Sequence, residues 1–212
     1  MIISHRHRFI FFAVPKTGTH SVRRALRALL GPDDLEQVGL FERKRFAFPE
    51  LENITHGHIS ALQIKPVLGA PMFDDYFKFA FVRNPFDRFV SYCAFVSRDT
   101  GHFERSPLAF MKYVVKELRP LERVLYRPQH ELLTDADGRL LVDFVGRTEQ
   151  MQTSYDEICA RLGIAAATLE QVNASSHNPY WSYYDEELVD LVGAQYQTDL
   201  ALFNYRFERH AS

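Results

Sequence analysis

The stretch FFAVPKTGTHSV, residues 11–22, changes character at Pro15: an apolar run stops, and Lys16, Thr17, Gly18, Thr19, His20 and Ser21 follow without a break. Upstream, RFIFFAV (8–14) is aromatic, β-branched and almost wholly apolar, as befits a strand buried on both faces of a parallel sheet. From Thr19 onward the apolar positions take a helical period. Val22, Ala25, Leu26, Leu29 and Leu30 fall at i, i+3, i+4, i+7 and i+8, and Gly31-Pro32 stops the helix. Strand, short polar loop and helix together make the phosphate-site geometry of α/β folds. Backbone N–H groups of such a loop converge on one point, where the helix dipole adds positive potential. Gly18 lets the backbone approach closely without a Cβ; Thr17, Thr19 and Ser21 add hydroxyl donors and Lys16 a full charge. An ordinary capped helix start accounts for one Ser or Thr, but not for Lys-Thr-Gly-Thr behind a hydrophobic strand. The loop is therefore read as an anion site, although it lacks the G-x-x-x-x-G-K-[ST] spelling of nucleotide hydrolases.

The same grammar recurs downstream. YFKFAFV (76–82) reads as a second strand ending at Arg83, with Asn84 able to cap a helix and Pro85 suited to its first position. Phe86, Phe89, Val90 and Cys93 then line one helical face. Ser106-Pro107 opens a helix reaching about residue 118, and LLVDFV (140–145) reads as a third strand after a turn at Asp137-Gly138. A helix from Glu149 to Leu162 turns Met151, Tyr155, Ile158, Cys159 and Leu162 inward and stops at Gly163. The last helix spans Asp185 to Thr198. Alternating strands and helices predict an α/β fold in which a central, mostly parallel sheet is flanked by helices on both faces. With no repeats, low-complexity stretches or linkers, residues 1–212 are read as one domain.

Composition bounds the answer. A chain of 212 residues with 46% hydrophobic, 14% aromatic and 25% charged residues has the makings of a globular domain with a full core. Cys93 and Cys159 each sit in an apolar helical pattern and are expected as buried free thiols, giving no sign of secretion. No apolar run approaches the roughly 20 residues of a membrane span. MIISHRHRFIFFAV lacks a long hydrophobic region and a cleavage site, so it is read as a first strand rather than a signal peptide, and a cytoplasmic protein is expected. The net charge of −2 hides an asymmetry: residues 1–30 carry six Lys/Arg and no acid, and residues 151–212 carry three basic against nine acidic residues. That acid-free start suits an anionic ligand, while Arg23, Arg24 and Arg27 read as solvated surface. A pI of about 6.5 argues against a nucleic-acid partner.

Two further stretches carry chemistry. In FVRNPFDRFVSY (81–92) Arg83 falls at a strand end and Ser91 two turns into the following helix. An arginine there can hold a phosphate bidentately and a serine can add a contact. Surface arginines are common, but beside the first loop this one suggests two phosphate subsites on adjacent strand ends. NITHGHISAL (53–62) supplies His56 and His58, and histidine is the commonest general base near neutral pH. For an isolated pair, a surface or structural role fits as well. A zinc site would need further ligands, neither cysteine is near in sequence, and no metal is expected. Arg147, Thr148 and Glu149 follow a strand end and could face a ligand; Glu149 equally suits a helix N-terminus. NASSHNPYWSYY (173–184) could stack Tyr180, Trp181 or Tyr183 on a ring or simply pack at the domain edge. FERKRF (41–46) reads as a solvated basic loop.

VPKTGTHS (14–21) and FVRNPFDRFVSY, about 65 residues apart, together resemble the two nucleotide motifs of sulfotransferases that use 3′-phosphoadenosine 5′-phosphosulfate (PAPS). The likeness is greatest to the carbohydrate O-sulfotransferase branch, which includes the heparan sulfate and uronyl 2-O-sulfotransferases. VDFVGRTEQM (142–151) and the pattern YYDEEL…Y…D…F.Y.F (183–207) extend it more loosely over most of the chain. The resemblance implies a P-loop NTPase-like three-layer fold, PAPS as sulfuryl donor, and an acceptor that bears a hydroxyl, a sugar or glycan. It places Lys16, Thr17, Gly18, Thr19, His20 and Ser21 around the 5′-phosphosulfate, and Arg83 and Ser91 on the 3′-phosphate. It makes Lys16 the group that neutralises the departing bridging oxygen, preorganised electrostatics of this kind being the largest catalytic term. HGH looks like the segment holding the catalytic histidine of the uronyl enzymes, which implies His58 as base and His56 as a substrate or supporting contact. No metal is implied, unlike phosphoryl transfer, where magnesium is integral. His20 departs from the pattern, since other members often carry Ser or Thr there; it is expected to contact the nucleotide or pack locally. A P-loop nucleotide kinase and a non-catalytic nucleotide-binding module are the alternatives.

Overall fold

The computed structural model describes residues 1–37, 48–51, 54, 56–170 and 178–209. FERKRF (41–46), Asn53, Thr55 and the first part of NASSHNPYWSYY (173–177) lie outside the described residues. In chain order the elements are β1 (Ile2–Ser4), β2 (Phe9–Phe12), α1 (Thr19–Arg27), β3 (Leu35–Glu36), α2 (Ala61–Leu68), α3 (Ala70–Asp75) and β4 (Phe77–Val82). They continue with α4 (Pro85–Ser97), α5 (His102–Arg105), α6 (Pro107–Tyr113), β5 (Phe144–Arg147), α7 (Met151–Leu162), α8 (Glu186–Gln195) and α9 (Gln197–Leu202). Contacts divide the chain into two compact units, residues 1–82 with 129–172, and residues 83–128 with 173–212.

The first unit holds a five-stranded sheet in the order β3-β1-β2-β4-β5. β2 pairs parallel with β4 (Phe9↔Phe77 to Phe12↔Ala80), and β4 parallel with β5 (Phe79↔Phe144 to Val82↔Arg147). β1 pairs antiparallel with both β2 and β3. The sheet is thus mixed, and the expected parallel arrangement is its β2-β4-β5 half. The reason lies in the N-terminus, which forms two strands rather than one. His5, Arg6, His7 and Arg8 are too polar for an interior strand and reverse the chain, with Arg8 at φ +54. Asp34 fixes the reversal by accepting from the Ser4 hydroxyl and the His5 and Arg6 backbone N–H groups; against the raising effect of burial, the Gly31 N–H first and then these bonds hold its carboxyl below the usual range.

Side-chain alternation gives the sheet two apolar faces. Ile2, Phe9, Phe11, Phe79 and Phe81 meet Val22 and Leu26 of α1 and Tyr155, Ile158 and Cys159 of α7; burial of each such ring contributes about 1.5–3 kcal/mol. On the other face Lys78 lies 5.3 Å from the ring of Phe73 in α3. The unit is therefore an α/β layering with a central sheet flanked by helices.

Two expected boundaries move. The third strand starts at Phe144 rather than Leu140, because Leu140 and Leu141 fold back on Thr134 and Leu133 across the Gly138 turn. The last helix breaks at Tyr196, whose buried hydroxyl donates to the Tyr126 carbonyl, so α8 and α9 replace one rod. The stop at Gly163 is as read, with φ +65.

In the second unit, Phe86, Phe89, Val90 and Cys93 of α4 pack with Met111, Leu188, Val192 and Tyr196. Arg88, 2% exposed, donates from Nη2 to the carbonyls of Leu125 and Arg127 at 3.0 Å each, so its charge serves the fold. Both cysteines are free and buried, and burial pushes the Cys93 thiol well up.

Candidate active site

Parallel pairing sets the C-terminal ends of β2, β4 and β5 along one sheet edge, and the 13–18 loop leaves from there. Lys16 has φ +67 and Gly18 φ +69. A left-handed lysine carries strain of about 1–2 kcal/mol, of the kind that collects at functional sites. The N-cap of α1 is Gly18, which has no side chain to cap with, and the first turn holds no acid. Its N–H groups and the neighbouring Lys16 thus suit an anion.

One of the expected loop roles changes. Thr17 is fully buried and its hydroxyl donates inward to the Val14 carbonyl at 2.9 Å, bracing the loop rather than reaching outward. The glycine at position 18 also has a packing reason. A Cβ there would stand 2.3 Å from Met151 Cε, so its absence admits the methionine methyl, and at φ +69 any other side chain would be strained. Thr19 and Ser21 are buried at the start of α1 and His20 is exposed. His20 has its pKa lowered by partial burial first and then by Arg23, Lys16 and Arg27.

Thr148 acts more specifically than its place after a strand end revealed. Its hydroxyl lies 3.1 Å from the Thr17 carbonyl and 3.1 Å from the Val82 carbonyl, tying the loop to the end of β4. Thr148→Val keeps the shape and removes the donor. It is expected to lower the unfolding free energy in urea by about 1–2 kcal/mol, with Thr148→Ser recovering most of it; an unchanged midpoint for Val would remove the tie.

The histidines are distinguished by their bonds. His58 Nδ1 lies 2.6 Å from the Ala13 carbonyl, an acceptor only, so Nδ1 carries the proton and Nε2 the lone pair. Burial, then Met1's amine, His56 and Arg23, lower its pKa to about 3 against the opposing Ala13 bond, leaving a neutral ring at pH 7. His56 Nδ1 accepts the His58 backbone N–H at 3.2 Å, which puts its neutral-state proton on Nε2. The two rings thus take opposite neutral tautomers, their centroids 6.0 Å apart. The Met1 nitrogen holds the segment between them, donating to the Gly57 carbonyl at 2.7 Å.

The arginines of α1 are paired, and for Arg23, whose side chain is only 11% exposed, the reading as solvated surface is corrected, because it packs against the buried Glu36 carboxylate. Arg27 forks onto Glu36 at 2.8 Å twice, Arg23 lies 3.6 Å from the same carboxylate, and Arg24 meets Glu170 at 2.6 Å. Glu36 and Glu170 therefore offset in space the excess of positive charge seen in residues 1–30.

In the second unit, Asn84 caps α4 by accepting the Phe86 N–H at 3.1 Å and anchors the turn to the Arg206 carbonyl at 3.0 Å. Arg83 donates from Nε to Asp87 at 2.7 Å. Ser91 stands one turn beyond Asp87, half-buried. Asp87 escaped the sequence reading, although spacing of four from Arg83 is a detectable signal. Tyr180 and Tyr183 pack internally, against Phe207 at 5.7 Å and Phe103 at 5.3 Å.

Among the described residues no helix is long and apolar enough to cross a membrane, and no group of three or more His, Cys, Asp and Glu is placed to hold a metal ion. No curated protein matches the sequence. Solved structures are similar to the chain, among them two sulfotransferases. One is a sulfotransferase from Alicyclobacillus acidocaldarius, 21% identical, covering 94% of this chain and 97% of its own, with a TM-score of 0.48. The other is mouse sulfotransferase SULT7A1 complexed with PAP, 17% identical, covering 99% and 70%, with a TM-score of 0.45. Neither superposition is close enough to identify the chain. The sequence model of the Sulfotransferase family does so, matching residues 1–206.

Proposed function

The chain belongs to the sulfotransferase family, and from that premise we propose that it moves a sulfuryl group from PAPS to a hydroxyl of a carbohydrate acceptor, as one domain over residues 1–212. PAPS when bound supplies the sulfuryl group on a phosphosulfate anhydride, with adenosine 3′,5′-bisphosphate as the departing product. The residues present suit it: the uncapped first turn of α1, free of acids, stands beside Lys16.

In this reading the backbone from Lys16 to Ser21 holds the 5′-phosphosulfate, with Thr17 and Gly18 shaping the loop and Thr19, His20 and Ser21 presenting the helix start. Lys16 neutralises charge on the departing oxygen. Arg83 and Ser91 hold the 3′-phosphate, by their match to the family motif. His58 Nε2 takes the proton of the acceptor hydroxyl, and His56 offers its Nε2–H to the acceptor. The observation that carries the mechanism is the His58–Ala13 hydrogen bond. It ties the ring through Nδ1–H to the segment that leads into Lys16 and leaves Nε2 unprotonated.

Family membership sets aside the nucleotide-kinase alternative. Calorimetry with adenosine 3′,5′-bisphosphate tests the donor, with micromolar binding expected; no heat at millimolar concentration would overturn it. Transfer of labelled sulfate from PAPS across a panel of glycans and simple alcohols separates an enzyme from a non-catalytic module and identifies the acceptor.

A further inference from the structure

We propose that Thr148 is a positioning residue for the 5′-phosphosulfate of the donor: its hydroxyl fixes the Thr17–Gly18 peptide unit so that the Gly18 N–H faces the anion. That role rests on the reading of the 16–21 loop as the 5′-phosphosulfate site.

The geometry follows from the sheet. β4 and β5 run parallel with Val82 opposite Arg147, so Thr148 is the first residue beyond β5, level with the end of β4. From there its hydroxyl shares one proton between the carbonyls of Thr17 and Val82, at 3.1 Å each, a three-centre bond. Val82 belongs to the sheet and gives the hydroxyl a fixed post; Thr17 belongs to the loop. A trans peptide is planar, and its N–H points opposite to its C=O. Turning the Thr17 carbonyl toward Thr148 therefore turns the Gly18 N–H the other way, as a donor on the opposite side of the loop.

The glycine makes such a hold necessary. A peptide unit reverses by changing the ψ of the residue before it and the φ of the residue after it. Gly18 accepts either sign of φ, so its own backbone does not prevent the reversal. Once reversed, the unit would present the Thr17 carbonyl where the donor belongs and repel an anion. Two other contacts keep the loop in place. The Thr17 hydroxyl donates to the Val14 carbonyl at 2.9 Å, and the space of a Gly18 Cβ is taken by the Met151 methyl, with the Thr148 methyl 3.8 Å away. The Thr148 hydroxyl adds direction, because it grips the carbonyl itself.

Calorimetry of Thr148→Val with adenosine 3′,5′-bisphosphate and with adenosine 3′-monophosphate, which lacks the 5′-phosphate, tests the role. Bisphosphate affinity should fall by about tenfold, with the 3′-monophosphate changed by less than about twofold. Thr148→Ser, which restores the hydroxyl, should regain most of the loss. A merely structural threonine lowers the urea midpoint but leaves the affinity of the folded protein alone. Bisphosphate binding by Thr148→Val within about twofold of the unmutated protein would therefore overturn the role. So would equal weakening of both nucleotides, or a serine variant no better than valine. A measurement on the unmutated protein covers the case in which the valine variant folds poorly. The Gly18 amide proton should move downfield in NMR as the bisphosphate saturates, and a resonance that stays in place would overturn the assignment. If the unmutated protein binds the two nucleotides equally, the loop is not a 5′-phosphate site and the role of Thr148 falls with that reading, an outcome visible before any variant is made.

Discussion

Lys16→Ala is expected to lower turnover by roughly 10²–10³ with little change in stability. Charge grows on the bridging oxygen as the anhydride opens, and an ammonium held there in advance stabilises the transition state more than the ground state. The backbone makes a second variant informative. Lys16 sits at φ +67, and alanine retains the left-handed strain of about 1–2 kcal/mol, whereas glycine relieves it. Lys16→Gly should match Lys16→Ala in lost turnover while being the more stable of the two by up to about 1 kcal/mol in urea unfolding. A turnover loss below about tenfold in both variants would dismiss Lys16 as the leaving-group residue. Glycine less stable than alanine by about 1 kcal/mol or more would contradict the strain, since its entropic cost alone is about 0.5–1 kcal/mol.

His58→Asn is expected to cost roughly 10²–10⁴ in turnover while leaving bisphosphate affinity nearly intact. Asparagine can still donate to the Ala13 carbonyl from the position of Nδ1, but supplies no nitrogen base. Equal losses of binding and turnover would remove His58 from that role, as would a larger turnover loss in His56→Asn. The proton affinity of the ring adds an independent readout. Burial takes the His58 pKa from its ordinary 6.5 to about 3 in the folded chain. Above pH 6.5 the ring is neutral folded or unfolded and contributes nothing to the pH dependence of stability. As pH falls below 6.5 the unfolded chain takes up a proton that the folded chain refuses, so stability drops, with a limiting slope of about 1.4 kcal/mol per pH unit. Between pH 7 and pH 5 the loss is about 2 kcal/mol, and His58→Asn should abolish it; parallel stability curves for the two proteins would contradict the burial. By the same token kcat/KM should hold its plateau down to about pH 5, without the acid limb of an ordinary histidine.

Much of this was legible along the chain because it depends on short-range chemistry. The run from Phe9 to Phe12 is apolar at every position, and only an interior strand buries both of its faces. Pro85 behind Asn84 starts a helix for reasons contained in three residues. The period from Val22 to Leu26 gives α1 its core face. Where local patterns competed, the chain alone misled. Leu140 and Leu141 look like strand residues, yet a turn at Gly138 folds them onto Leu133 and Thr134. The apolar composition of MIISHRHRFIFFAV concealed a reversal that Asp34 stabilises from about thirty residues away.

The site divides along the same line. Residue types and spacing in PKTGTHS, HGH and RNPFDRFVS were enough to nominate a lysine, a histidine pair and an arginine, because function demands those side chains and the motifs are contiguous. Their states were decided by contacts distant in sequence. Met151 fills the space a Gly18 Cβ would need, Thr148 ties Thr17 to Val82, and Glu36 and Glu170 offset the arginines of α1. Ala13 chooses which nitrogen of His58 carries its proton. Proton position, charge compensation and burial depend on what stands within a few ångströms in space, and a sequence orders its residues by bonds rather than by distance.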